Sequence, residues 1–423
     1  MPTTKDSSAT TSTVNTSRAC VLIADKFETT GINALEQAGC HVITSPDLDP
    51  STLPSALDEA DPDILIVRST KVTEDAITNA KRLSLIVRAG AGYDNIDLSA
   101  ASNRGVFVAN CPGKNAVAVA ELAWALILSC DRRVPDQTAD LRAGIWKKSD
   151  YSKAAGLYGR TLGIVGLGRI GLEIAERGRA FGMRTLAWSR SLTQEQADAA
   201  GVVYCSTLND LAKMSDVISI NVAGNAETSN LIGEDFFQAM RSGATIINTS
   251  RGNVIDSDAM QRAVKEKGIR AGLDVFANEP GAGGKDFKDS IVSLPGVYGT
   301  HHVGASTDQA QIAIANEAVR VVCTYLDQGV VPNSVNRAES TPATTLLTVR
   351  HLNRPGVLAH VFYTLGQAGI NVEEMENVIY EGGEAACARI QLDDCPGDQE
   401  LDSLRGNEHI LQVTIGNLGQ LNT

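Results

Sequence analysis

The chain has 423 residues, a formal net charge of −13 and a pI near 5.0. That length is too great for one compact core and predicts two or three domains. The acidic balance argues against a nucleic-acid backbone or an anionic membrane as partner, since both reward basic surfaces, but a few placed Arg or Lys still suffice for a small anionic ligand.

Residues 1–18 are rich in Ser and Thr and lack an apolar core, which predicts a disordered tail and not a secretory signal. From Ala19 the pattern alternates short apolar strands with amphipathic helices. "ACVLIAD", "HVITS", "DILIVRS", "LSLIVRAG" and "GVFVAN" read as buried strands, with helices such as "TTGINALEQAG" between them. That alternation predicts a parallel sheet covered on both faces. "NAVAVAELAWALILSC", Asn115–Cys130, is too long for a strand and predicts a buried helix suited to join two domains.

A second series follows: "RTLGIVGLG", "RTLAWS", "DVISINV", "ATIINTS", "AGLDVF" and "VYGTHHVG", then a helix from about Thr307 to Gly329. "VVPNSVNRAESTPAT" is polar with two prolines and reads as a linker. The last eighty-odd residues alternate as βαββαβ. Asn353 is placed to cap the first helix and Gly369 to close it. The expected fold is α/β, with two doubly wound parallel-sheet domains and a small α+β domain. No apolar run reaches about 18 residues, the length of a membrane span. The eight cysteines form no CxxC pair and read as reduced, buried thiols of a cytoplasmic protein. No metal site is expected.

"GLGRIG" supplies Gly166, Gly168 and Gly171 between an apolar strand and a helix, the context that makes such glycines a dinucleotide site. The first permits a tight turn, the second lets a pyrophosphate approach the backbone, and the third lets helix and strand pack. The helix N-terminus then offers unpaired N–H groups to the phosphates. An acidic residue usually follows roughly 20 residues on, to hold the ribose hydroxyls. Here Trp188-Ser189-Arg190 stands at that strand end instead.

Arg251 in "NTSRGNVID", Glu279 in "LDVFANEP" and the pair His301-His302 in "GTHHVGAS" arrive at three strand ends, where open parallel sheets bind ligands. An Arg can fork two hydrogen bonds to a carboxylate. A His can take or return a hydroxyl proton, and a carboxylate beside it orients the ring. Each residue alone reads equally well as a helix cap, a surface acid or a packing histidine.

Together "VGLGRIG", "INTSRGNVID", "GLDVFANEP" and "THHVGAS" resemble the D-isomer-specific 2-hydroxyacid dehydrogenases, and "LIVRSTKVT" and "VRAGAGYDNIDL" are similar to their phosphoglycerate-oxidising branch. "HLNRPGVLAHVFYTLGQAGINV" resembles an ACT regulatory domain. The resemblance implies a split substrate domain (19–114 and 304–335), an inserted Rossmann domain (115–303) and an ACT-like domain (343–419). It implies Arg251 as substrate clamp, Glu279 as the carboxylate behind the histidine, and His302 as acid/base. His301 takes the place of the family's Pro. Further cofactor contacts are implied from Arg169, Ile170, Thr249, Ser250, Asp274 and Gly304, the Asp near the nicotinamide amide.

A phosphorylated hydroxy acid would be held by Arg68, Ser69, Arg88 and Lys148. The backbone of Ala89, Gly90, Ala91 and Gly92 would cradle its carboxylate. His351, Asn353 and Asn371 match positions that bind L-serine between paired ACT domains, which implies a homo-oligomer, a dimer or tetramer. Asn221 and Ala223 depart from the family's usual His and Pro. Ser189 stands where the family has its ribose-binding Asp, so NAD is the expected cofactor and NADP is admitted, with Arg190 next door.

The expected reaction is oxidation of 3-phosphoglycerate, the entry to serine synthesis. A glyoxylate or hydroxypyruvate reductase shares the machinery. A nucleotide-sensing corepressor is the alternative from another class, and the acidic surface and the ACT-like end argue against it.

Overall fold

Residues 18–280, 284, 286–338 and 340–418 are described in a computed structural model. The tail expected over 1–18 therefore lies outside the described residues, apart from Arg18. The chain divides into two compact units, Met1–Asn336 and Arg337–Thr423.

The first unit carries two parallel sheets. β1 (Cys20–Ile23), β2 (His41–Thr44), β3 (Ile64–Val67), β4 (Leu85–Arg88) and β5 (Phe107–Asn110) form one, in the order β2-β1-β3-β4-β5. β6 (Thr161–Val165), β7 (Arg184–Trp188), β8 (Val203–Tyr204), β9 (Val217–Ile220), β10 (Thr245–Asn248), β11 (Arg270–Leu273) and β12 (Val297–Gly299) form the other, in the order β12-β11-β10-β9-β6-β7-β8. Central strands such as "ILIV" of β3 and "TIIN" of β10 are buried on both faces. That is why their hydrophobic runs are continuous and not alternating. Each sheet has an apolar core on either side.

All eleven strands expected in this unit are present. β8 was not foreseen: it is two residues long, and "GVVYC" carries too little pattern to stand out. The expected helix at Asn115–Cys130 is Ala116–Arg132 and packs on the second sheet. The helix Asp308–Gln328 is capped by Thr307 and closed by Gly329 at φ 68°. It returns to the first sheet, where Ile314, Ala318, Val321 and Val322 enter the same core as Val21 and Val87.

The expected linker beginning at Val330 is corrected. Its first half is built into the first sheet: Ser334 bridges Ala109 antiparallel, Val335 N–H donates to Val108 O at 2.8 Å, and Asn336 Oδ1 accepts from Val108 N at 2.8 Å. Without it β5 would be an edge strand with unpaired backbone groups.

The second unit is the expected βαββαβ. β13 (Thr345–Leu352), β14 (Val372–Ile379), β15 (Ala385–Leu392) and β16 (Ile410–Asn417) form an antiparallel sheet in the order β14-β15-β13-β16. Helices Val357–Gln367 and Asp398–Arg405 pack on it, with Leu347, Val349, Val361, Leu365, Ile390 and Leu404 in the core. Gly369 follows the first helix at φ 71°, as expected.

Asn353 does not cap that helix. Gly356, at φ 91°, is the N-cap, and Pro355 and Gly356 put the first helical residue too far along for Asn353 to reach. Its side-chain amide instead donates to Gly383 O at 3.0 Å. The eight cysteines are unpaired. Burial pushes the Cys111 and Cys130 thiols up to about 12. Cys395 corrects the expectation of buried thiols, for it is exposed between Asp394 and Pro396. Among the described residues no helix is long and apolar enough to cross a membrane, and no group of three or more His, Cys, Asp or Glu could hold a metal ion.

Candidate active site

The strand order of the second sheet reverses between β9 and β6, and that of the first between β1 and β3. Such reversals open crevices beyond the strand C-termini. The loops that leave both sheets border one cavity of about 1090 Å³.

At the second reversal the three fingerprint glycines do what their spacing implies. Gly166 has φ 92°, and a Cβ there would stand 2.8 Å from Asn221 O. A Cβ on Gly171 would stand 2.3 Å from Gly166 O, so helix and strand pack through it. A Cβ on Gly168 would meet nothing within 4 Å. Gly168 is also the N-cap of the helix Arg169–Ala180 and makes no side-chain cap. Open space before a helix N-terminus fits a pyrophosphate. Arg169 donates to Pro112 O at 2.6 Å, and Ile170 lines the cavity.

Ser189 and Arg190 follow β7 directly, and Arg190 is ion-paired with Glu227 from the loop after β9. Asn221, the departure in that loop, turns its amide back to Ser219 O at 3.1 Å. Ala223 lines the cavity beside it.

After β10, Asn248 is buried and shapes the turn. Its Oδ1 accepts from Ser250 N and Oγ, and its Nδ2 donates to Arg251 O at 2.9 Å. Thr249 Oγ1 is buried without a partner. Arg251 Nη1 donates to Ser250 O at 2.8 Å. Its other edge is taken by Asp94, with Nη2 to Oδ1 at 2.8 Å and Nε to Oδ1 and Oδ2 at 3.3 and 3.2 Å.

His302 Nδ1 stands 2.7 Å from Glu279 Oε2, which leaves Nε2 for a substrate proton. Burial raises the Glu279 carboxyl, but hydrogen bonds from His302 and from Phe276 N–H outweigh it and leave it below its ordinary value. His302 has φ 54°, a left-handed conformation rare for a non-glycine residue. Buried Asp274 holds that loop. Its carboxylate accepts from Thr300 Oγ1 at 2.6 Å and from Val303 N and Gly304 N at 2.9 Å, and its carbonyl accepts from His302 N at 2.8 Å. His301 is exposed beside it.

From the first sheet, Arg68 and Arg88 line the cavity. Burial pushes the Arg88 guanidinium down to about 10, and the like charge of Arg251 adds to this. Arg88 Nε is buried with no partner, an orphan that an anion would satisfy. Asp25 fixes the Arg68 loop: Oδ2 accepts from the N–H groups of Arg68, Ser69 and Thr70 at 2.7, 3.2 and 3.2 Å, and Oδ1 from Ser69 Oγ at 2.7 Å.

The expected backbone cradle is reduced. The N–H groups of Ala89 and Gly90 already donate to Val67 O and Arg88 O, which leaves Ala91 and Gly92. Gly92 lies so close to Arg251 that a Cβ would stand 1.9 Å from Nη2. Lys148 is not brought to the cavity; it is exposed on the chain after the helix Val134–Arg142.

In the second unit His351, Asn353 and Asn371 each have separate partners. His351 is buried, with Nδ1 2.8 Å from Leu352 O and Nε2 3.2 Å from Asn377 Oδ1. Asn371 Nδ2 donates to Glu373 Oε1 at 2.7 Å.

Asp25, Asp94, Asn248 and Glu227 escaped the reading of the sequence. Asp25 stands two residues past the end of β1, which is a signal. Asp94 and Glu227 sit among turn-forming residues and give none.

Residues 124–304 match the family model "D-isomer specific 2-hydroxyacid dehydrogenase, NAD binding domain". The chain is 38% identical over 318 residues to a D-3-phosphoglycerate dehydrogenase of Methanocaldococcus jannaschii, across 75% of this chain and 59% of that one. It thus spans about three fifths of that relative's length. It is 39% identical over 282 residues to a hydroxypyruvate reductase of Thermotoga maritima, across 66% of this chain and 89% of that one. Among solved structures it is similar to a cofactor (NAD+) bound 3-phosphoglycerate dehydrogenase of Entamoeba histolytica, at 25% identity and a TM-score of 0.64, across 75% of this chain and 99% of that one.

Proposed function

The chain belongs to the D-isomer-specific 2-hydroxyacid dehydrogenase family, and on that premise we propose that it oxidises 3-phosphoglycerate to 3-phosphohydroxypyruvate with NAD, at the entry to serine synthesis. The observation that carries this reading is the meeting of Arg251, Arg68 and the unsatisfied Arg88 at the cavity that His302 lines. A substrate with an anionic group at each end uses all three cations.

The Arg251 fork holds the carboxylate, with the N–H groups of Ala91 and Gly92 beside it. Arg68 and Arg88 hold the phosphate, and Ser69 belongs to the same loop. His302 Nε2 takes the C2 hydroxyl proton, and Glu279 on Nδ1 orients the ring and stabilises the imidazolium. When bound, the nicotinamide supplies the hydride acceptor. Gly166, Gly168 and Gly171 make room for its pyrophosphate, and the orphan hydroxyl of Thr249 suits a polar contact with the bound molecules.

With no acid at Ser189, NADP is admitted, but Arg190 is already ion-paired with Glu227, which leaves less of its charge to favour a 2′-phosphate. L-serine as effector rests on His351, Asn353 and Asn371. A serine molecule would have to exchange for Leu352 O or Asn377 on the His351 ring. The homo-oligomer is supported by large apolar side chains left in solvent, Trp146, 80% exposed, and Tyr158, 89% exposed, among them.

A hydroxypyruvate or glyoxylate reductase is the second reading, favoured by the near full-length likeness to the Thermotoga maritima enzyme. Steady-state assays decide between them, with 3-phosphoglycerate and each oxidised cofactor, then phosphohydroxypyruvate, hydroxypyruvate and glyoxylate with each reduced one. The first reading fails if the phosphate confers no gain in kcat/KM.

A further inference from the structure

We propose that Asp94 is an internal competitor for the substrate carboxylate, filling the Arg251 fork until an anionic substrate displaces it and thereby setting substrate affinity. The inference rests on Arg251 as the substrate clamp in the reading above.

Arg251 has two usable hydrogen-bonding edges. One is fixed to its own turn, Nη1 to Ser250 O at 2.8 Å. The other, Nε with Nη2, is the edge that binds a carboxylate by two prongs, and Asp94 already binds it so, Nη2 to Oδ1 and Nε to Oδ2. Asp94 leaves the loop after β4 and Arg251 the loop after β10, so the contact crosses from one sheet's loops to the other's. Gly92 makes the crossing possible, since the backbone passes where a side chain would meet Nη2. Asp94 is therefore chemically and geometrically what a substrate carboxylate would be on this edge.

Asp94 is also placed to leave. Its side chain is 55% exposed, against 27% for Arg251, so it can return to water at small cost while the guanidinium remains at the cavity wall. A substrate carboxylate that replaces it exchanges one ion pair for another and gains little from Arg251 alone. Net affinity must come from the remaining groups, Arg68, Arg88 and the two N–H groups of Ala91 and Gly92. Asp94 thus subtracts the same amount from every carboxylate ligand and leaves the rest of the molecule to decide which one binds.

The test uses the full chain and its Asp94→Asn and Asp94→Ala variants. Oxalate is titrated by calorimetry without cofactor, and KM is measured for hydroxypyruvate and phosphohydroxypyruvate with reduced cofactor. Both variants are expected to bind oxalate roughly three- to tenfold more tightly, the worth of a half-exposed but two-pronged ion pair. KM for both keto acids is expected to fall by a similar factor. Unchanged or weaker oxalate binding in variants whose circular dichroism matches the parent chain overturns the proposal and makes Asp94 a support for Arg251. If both variants misfold, Asp94→Glu serves: its longer arm disturbs the fork contact, and tighter oxalate binding is again required. Should phosphohydroxypyruvate prove no substrate, the oxalate and hydroxypyruvate measurements still decide the role of Asp94.

Discussion

His302 pays for its position with a left-handed backbone, a cost of about 1–3 kcal/mol for a non-glycine residue, and Asp274 offsets it with four hydrogen bonds through its carboxylate and carbonyl. His302→Ala is expected to lower turnover by roughly 10² to 10⁴, the worth of general acid–base catalysis, while dinucleotide binding survives. His301→Ala should change it little, and stopped-flow and fluorescence titration check both; exchanged effects would place the acid/base one residue earlier. At the other end of the cofactor site, Ser189→Asp should cut the efficiency with NADP by a factor on the order of 10², because a carboxylate facing a phosphate is a like-charge contact. Equal NAD and NADP losses in that variant would show that Ser189 has no part in cofactor choice. The places of Arg251, Glu279 and His302 were legible because each lies in the loop that follows a strand, within its own motif. Asp94 was not, because an Asp between Tyr93 and Asn95 reads as a turn former, and only the fold brings it to Arg251 from 157 residues away.

Strands and helices were legible wherever burial on both faces or a 3.6-residue stripe left a long pattern, as in β3 or the helix Asp308–Gln328. The segment after that helix was misread as linker because its pairing with β5 is made by polar residues, Asn333, Ser334 and Asn336, whose type predicts a loop. One carboxylate ties these pieces together. Glu317 in the long helix accepts from Arg320 at 2.6 Å and from Asn333 Nδ2 at 2.8 Å, and faces Lys114 at 3.3 Å. The hydrogen bond from Arg320 leads, burial opposes, Asn333 and Lys114 add, and the Glu317 carboxyl falls to about 2. A carboxyl depressed on folding stabilises the fold above its unfolded value, about 4.3, and that stability is lost as pH falls from there through about 2. Glu317→Gln should therefore lower stability by about 1–3 kcal/mol at pH 7 and by much less near pH 2. Urea denaturation at both pH values measures this, and an equal loss at each would mean that the charge of Glu317 contributes nothing.

At the scale of the whole chain, and among the described residues, each apolar core draws its members from one unit alone. Every member of the four cores of the first unit precedes Asn336, and every member of the fifth lies between Leu347 and Val413. The change of character after residue 340 was visible in the sequence, since alternating strands replace continuously apolar ones, as an antiparallel sheet with a solvated face requires. Separate cores mean separate folding units, because burial within one core gives nothing to the other. A chain ending at Asn336 should therefore fold and keep its dehydrogenase turnover within about threefold, since single-domain cooperativity resides in each core. A fragment of residues 337–423 should give the circular dichroism of a folded α+β protein. Serine is then the discriminating ligand: if it acts through His351, Asn353 and Asn371, millimolar serine slows the full chain and leaves the shortened one untouched. Inhibition that persists after the last 87 residues are removed would place the effector in the catalytic unit. A shortened chain that is folded but inactive would show that the second unit is needed for catalysis itself.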